Sequence, residues 1–120
     1  MGYNFSEDSE LQLLRETVKE FAEKEISPLA QQLDREESFS YEITRRMGDL
    51  GLLGSMISSK YGGHELDYIS YIITVEEIAR IDSSQAATLA AHNSLGVSPI
   101  YYFGNEEQKS TYLPELCTGE

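Results

Sequence analysis

The stretch "DYISYIITVEEIARI", Asp67 to Ile81, decides the fold. On a helical projection Tyr68, Ile69, Tyr71, Ile72, Ile73, Val75, Ile78 and Ala79 cover most of the circumference. Ser70, Thr74 and Glu77 are left as a narrow polar stripe, with Glu76 and Arg80 spaced as an i,i+4 ion pair. A helix apolar nearly all round belongs at the centre of a bundle, so the neighbouring segments must supply helices to cover it.

Upstream, Leu11, Leu14, Val18, Phe21 and Ala22 recur three and four apart and give one apolar stripe. Ser6 is placed to cap that helix, and Glu7 and Asp8 lie at the positive end of its dipole. Pro28 is expected to break or restart it, with Ser27 as the new cap and Leu29 and Leu33 turned inward. Ser40 opens a short helix bearing Ile43, Met47 and Leu50, closed by Gly51 in a left-handed conformation. Leu52 to Ser59 has no helical face and reads as a semi-extended segment on the core. Tyr61-Gly62-Gly63-His64 is a turn.

Downstream, Ser83 or Ser84 caps a helix through "AAHNSLGVSPI", Ala90 to Ile100. Pro99 lacks a donor and would strike the carbonyl of Leu95, so this helix is expected to end or kink near Gly96. Ser98 and Pro99 can begin a new turn running to Gly104. Asn105-Glu106-Glu107-Gln108 is a capping-box variant ahead of a last helix carrying Tyr112, Leu113 and Leu116. No window alternates as a strand does. The expected fold is all-α, a helical bundle of about six helices, in one domain spanning 1–120.

Composition narrows the function. The net charge of −12 repels nucleic acid and anionic lipid, both of which call for clustered Lys and Arg. Cys117 is the single cysteine, so no internal disulfide forms, and no apolar run reaches the length of a membrane span. The expectation is a soluble intracellular protein. Met1 to Ser6 fits the loose myristoylation pattern and Asn4-Phe5-Ser6 a glycosylation acceptor; both are discounted.

No self-sufficient catalytic constellation emerges. His64 and His92 lack the companions of a metal site, His64 with Asp67 being only a two-ligand fragment. Ser94 lies two residues from His92, which sets them about 200° apart on a helix and denies the serine a base. Cys117 has no basic neighbour in sequence and reads as a small, partly buried residue. Glu36-Glu37, Glu76-Glu77 and Glu106-Glu107 are adjacent pairs that diverge by about 100° and share no site. Glu77, on the polar stripe of a central helix, reads as a hydrogen-bonded structural group. Gly51 to Gly54 and Gly62-Gly63 lack the strand-loop-helix setting of a phosphate loop. What stands out is a line of small residues, Ala87, Ala91 and Leu95, beside Ala86 and Ala90. From spacing alone it suits either a packed helix or a narrow apolar groove.

The stretches "LLRETVKEFAEKEISPLAQQLDREESF", "MGDLGLLGSMISSKYGGHELDYISYIITVEEIARIDSS" and "AAHNSLGVSPIYYFGNEEQKSTYLPELCTGE" together resemble the N-terminal helical domain of acyl-CoA dehydrogenases, from Phe5 to Glu120. The resemblance implies an FAD-dependent enzyme in which a glutamate removes the α proton of an acyl-CoA thioester and the flavin accepts the β hydride. It implies electron-transferring flavoprotein as the acceptor and a homo-oligomer, a tetramer in the family. Localisation would be the bacterial cytoplasm or, in a eukaryote, the mitochondrial matrix. The family's middle β domain and C-terminal helical domain have no counterpart in 1–120, so no catalytic or flavin-binding residue is transferred. The resemblance does turn the small-residue line into one wall of the acyl-chain pocket: Ala87, Ala91 and Leu95, with Thr88 beside them. Alanine at 87 and 91 leaves room that larger residues would close. "YGG" at Tyr61 resembles a loop near the substrate entrance, and the helix with Glu77 the domain's central element. An acyl-CoA oxidase or flavin monooxygenase of the same superfamily would look alike in this domain. The alternative from a different class is a free-standing helical interaction or dimerisation module. A domain made to dock on companions is also expected to expose apolar surface.

Overall fold

The central stretch folds as a helix, α4, Tyr68–Ala79. Asp67 starts it, its carboxylate accepting the Ser70 N–H at 2.8 Å. In the computed structural model, which describes residues 9–120, α4 packs between α1 (Ser9–Phe21) and α5 (Ser83–Ala91). The Ser6 cap, the Glu7 and Asp8 dipole charges and the Met1–Ser6 motifs lie outside the described residues.

The side of α4 that faces inward is the polar one. Ser70, Thr74 and Glu77 are buried with Ile73 and Ile78, whereas Tyr68 and Ile72 are 63% and 59% exposed. A helix so evenly apolar has little to orient it, so side-chain size decides. Ser70 and Thr74 let neighbouring helices come close. The Thr74 hydroxyl donates to the Ser70 carbonyl at 2.9 Å, which removes most of its desolvation cost. The expected Glu76–Arg80 pair does not form: Arg80 turns to Glu77 at 3.3 Å, and Glu76 meets Arg15 of α1 at 3.3 Å.

Pro28 does not break the first helix. Its chain widens into a π-helical turn, Ala22–Ile26, and continues as α2, Ser27–Glu36. The Ser27 N–H bonds back five residues to the Ala22 carbonyl, so Ser27 makes no side-chain cap and Pro28 enters at the first turn of α2. The pattern recurs ahead of Pro99: α5 widens through His92–Val97 and continues as α6, Ser98–Phe103, with the Ser98 N–H on the Asn93 carbonyl. The helix therefore runs on past Gly96, where an end or kink was expected. Its start is also different, because Asp82 and not a serine accepts the N–H groups of Ser84 and Gln85.

α3, Tyr41–Asp49, begins as expected with the Ser40 hydroxyl accepting the Ile43 N–H. Ile43 and Met47 are buried, but Leu50 is partly exposed because it caps the helix C-terminus after the apolar face has ended. Leu52–Gly54 and Ser59–Tyr61 coil as 3-10 turns where a semi-extended segment was expected, although Leu52, Leu53 and Ile57 do lie in the core. The Asn105–Gln108 capping box is reciprocal and starts α7, Glu106–Thr118. Among the described residues there is no strand, and the helices form five continuous rods, α1 with α2 and α5 with α6 each counted once across their π turns. The fold is all-α.

Glycines in "MGDLGLLG" make the seat for α7. A Cβ on Gly48 would lie 2.0 Å from the Thr118 carbonyl oxygen, and one on Gly54 2.5 Å from the Cys117 sulfur. Gly51, at φ 79°, closes α3 and leaves room for the His64 ring. One core joins α1 to α5 around Phe21, Ile26, Met47, Leu53, Ile78 and Leu89; a second, under α7, gathers Ile57, Tyr61, Val97, Leu113 and Cys117. The whole is a slab of 43 × 41 × 21 Å, two helices thick.

Candidate functional site

Ala87, Ala91 and Leu95 share the outward side of the α5–α6 rod, with Leu95 76% exposed. The opposite side is sealed: Ala86, Leu89, Asn93 and Val97 are all buried. Among the described residues no helix covers the small-residue line, and Ala87, Ala91 and Leu95 are all exposed. At Gly96, beyond Leu95, an added Cβ would find nothing within 4 Å. Thr88 stands apart from the line. It is half-buried, its hydroxyl donates to the Ser84 carbonyl at 3.0 Å, and it lines a cleft of about 690 Å³ between α2, the 37–39 loop and the start of α5. The four residues thus divide into three on one line and one at the edge of a separate cleft.

The triplet that follows Ala91 holds this rod in place. His92 Nε2 donates to the Leu116 carbonyl at 2.7 Å and ties the π turn to α7. Asn93 is 3% exposed; its Nδ2 donates to the carbonyls of Leu52 and Leu89, each at 3.0 Å. Ser98 returns the constraint, its hydroxyl donating to the Asn93 carbonyl at 2.7 Å. Asn93 thus fastens a wide turn in a helix that goes on. Ser94 donates to the Ala90 carbonyl at 2.6 Å and does not meet the His92 imidazole.

Charged groups elsewhere are structural. Glu77, 1% exposed, accepts from Arg15 of α1 and from Arg80, and these partners meet the requirement that a buried carboxylate be matched. The hydrogen bond to Glu77 is the main reason that the Arg15 guanidinium holds its proton more tightly than usual. In the Tyr61-Gly62-Gly63 turn, the Tyr61 hydroxyl donates to Glu106 at 2.8 Å and Lys60 pairs with the same carboxylate at 3.1 Å. The Tyr61 hydroxyl first, and then Lys60, hold the Glu106 carboxyl below the usual range. Burial pushes the Cys117 thiol up, away from the reactive thiolate. Among the described residues no group of three metal-ligating side chains comes together. No helix among them is long and apolar enough to cross a membrane.

Sequence reasoning missed Asn93 as an anchor, Asp82 as a cap and the Arg15–Glu77 pair. A signal for the first existed: Ser-Pro lies within a helical run at both 27–28 and 98–99, and each time the serine N–H reaches five residues back.

Comparison with known proteins places this all-α slab in a family. The family model for the acyl-CoA dehydrogenase N-terminal domain matches residues 8–120, and the chain belongs to that family. It is 42% identical over 120 residues to the short-chain specific acyl-CoA dehydrogenase of Clostridium acetobutylicum, covering all of this chain and 31% of that protein. Among solved structures, butyryl-CoA dehydrogenase from Megasphaera elsdenii superimposes with a TM-score of 0.89 at 34% identity, over 99% of this chain and 31% of that one. An acyl-CoA dehydrogenase from Bacillus anthracis complexed with FAD gives 0.87 at 38% identity, over 95% and 20%. The chain spans 28–31% of the length of the curated relatives it matches.

Proposed function

We propose that this chain acts as the N-terminal domain of an FAD-dependent acyl-CoA dehydrogenase and forms one wall of the acyl-chain pocket for α,β-dehydrogenation of acyl-CoA thioesters. The observation that carries the reading is the outward line of Ala87, Ala91 and Leu95 in a chain whose family is that of these enzymes. Methyl and isobutyl groups suit a hydrocarbon chain, and they gain from excluding water beside it, at about 25 cal/mol for each Å² covered. Thr88, beside this row but turned to the separate cleft, is the weaker candidate for the wall.

The row of Ala87, Ala91 and Leu95 does not fit FAD. The exposed α5 side offers apolar side chains and no cluster of donors for a pyrophosphate. Flavin contacts and the catalytic base are assigned to other parts of the enzyme, and the chain alone is inactive. Acyl-CoA is the substrate, electron-transferring flavoprotein the electron acceptor, and a homo-oligomer the working form, in the bacterial cytoplasm or the mitochondrial matrix. The exposed Tyr68, Ile72, Tyr102 and Phe103 support docking onto companion domains, Phe103 being 88% exposed.

The test is Ala91→Phe in the complete enzyme. Filling the wall position is expected to reduce turnover of long acyl-CoAs about tenfold more than that of short ones. Equal losses, or none, refute the wall assignment.

A further inference from the structure

We infer that the π turn at His92–Val97 is a register device for the pocket wall, and that Asn93, with Ser98, is the positioning residue that sets which way Leu95 points. The inference rests on the reading of Ala87, Ala91 and Leu95 as that wall.

The argument is geometric. In an α-helix each residue advances about 100°, so four residues overshoot a full turn by about 40°. Ala87 to Ala91 lies within α5 and drifts by that amount. Were the helix to continue unchanged, Leu95 would sit about 80° around from Ala87 and leave the line. From Ala91 to Leu95, however, the chain follows the π turn, where bonds span five residues and each step is about 82°. Four such steps fall short of a full turn by about 30°, which cancels the earlier drift. Leu95 returns to within about 10° of Ala87, and the three residues stand in one straight row along the rod axis. Leu89, Asn93 and Val97 all remain on the buried side across the turn.

A wide turn is rare because it gives up regular helix bonding, so something must hold it. Asn93 does so from inside. Its amide donates to Leu89 one turn back and to Leu52 across the core, and its carbonyl receives both the N–H and the hydroxyl of Ser98. Pro99 comes next and withholds its own N–H from the ladder. Without these bonds the turn is expected to relax towards α-helical register and carry Leu95 about 70° off the row. The wall would then lose its outermost side chain and widen there.

The experiment compares Asn93→Ala, the milder Ser98→Ala and the hydroxyl-retaining Ser98→Thr in the full-length enzyme, with butyryl-CoA and octanoyl-CoA as probes. Asn93→Ala is expected to raise the octanoyl-to-butyryl ratio of kcat/KM by about tenfold, through KM, with kcat changed less than twofold. Ser98→Ala should move it the same way by less, and Ser98→Thr should behave as the parent. A general loss of fold would lower both substrates together and would not be rescued selectively. If Ala91→Phe moves the ratio but folded Asn93→Ala and Ser98→Ala do not, the wall stands and the register inference is overturned. If Ala91→Phe leaves it unmoved, the wall reading fails, and a structure of Asn93→Ala decides the register directly. Leu95 turned about 70° from the Ala87–Ala91 row supports it; Leu95 in place overturns it.

Discussion

Gly48→Ala should destabilise this protein, although helix propensity alone says the opposite. Gly48 lies within α3, and replacing a helical glycine by alanine ordinarily gains about 0.5–1 kcal/mol. The added methyl carbon, however, would lie 2.0 Å from the Thr118 carbonyl oxygen and 2.7 Å from its carbon. Ordinary contact begins at 3.4 Å, so the end of α7 must withdraw by more than 1 Å. The obstacle is backbone, so no rotamer change relieves it. Withdrawal would also loosen Cys117 from Gly54 and Leu53 from Gly119, since both contacts belong to the same seat. Overpacking of this kind costs about 1–3 kcal/mol, and with an immovable backbone atom at 2.0 Å the cost belongs at the upper end, which leaves a net loss of about 2 kcal/mol after the propensity gain. Gly96→Ala is the matched control: it is helical, with nothing within 4 Å of the new methyl, and should be neutral or stabilising by up to about 1 kcal/mol. Urea unfolding followed by helical circular dichroism measures both. A Gly48→Ala midpoint at or above that of the parent would refute the seat.

Arg15→Ala should cost about 3 kcal/mol in the same assay, because Glu77 would stay buried with Arg80 alone, and Arg15→Lys should recover part of it. Leu89→Ala, fully buried in the core that joins α1 to α5, should lose about 2–5 kcal/mol. Glu106 is held below its ordinary range, so its contribution is complete above about pH 4.3 and is lost as the pH falls through its lowered folded value. Acid titration of stability should therefore be less steep for Glu106→Gln than for the parent, and identical slopes would remove the Tyr61–Lys60–Glu106 cluster from the account.

Much of this fold was legible where a local rule had one answer. The Ser40 hydroxyl, the Asn105–Gln108 box and the left-handed Gly51 each satisfy backbone groups within a few residues, and each forms where the sequence placed it. Reading failed where the answer depended on what came near. Proline rules describe a clash in a regular helix; they say nothing of a helix that widens one turn ahead, as at Ser27 and Ser98. The α4 periodicity located its polar stripe correctly but put no neighbour on either side, and small side chains with internal hydrogen bonds proved the better inner face. Asp82 displaced the serines as cap because its carboxylate reaches two N–H groups at once. The row of Ala87, Ala91 and Leu95 was found by spacing, yet its straightness depends on a wide turn that spacing could not reveal.

The slab shape has a thermodynamic consequence. A chain of this length packed as a ball would have a radius of gyration of about 13.5 Å, while this one measures 14.8 Å and is only 21 Å thick. Side chains such as Ile72, Leu95 and Phe103 are wet in the native state, so unfolding uncovers less new apolar surface than the length suggests. The heat-capacity increment and the urea m-value of the isolated domain should both fall below the norm for 120 residues, giving a flat stability curve and a broad transition. Covering those faces would restore the curvature, so the heat capacity of unfolding reports how much of the slab is still in contact with water.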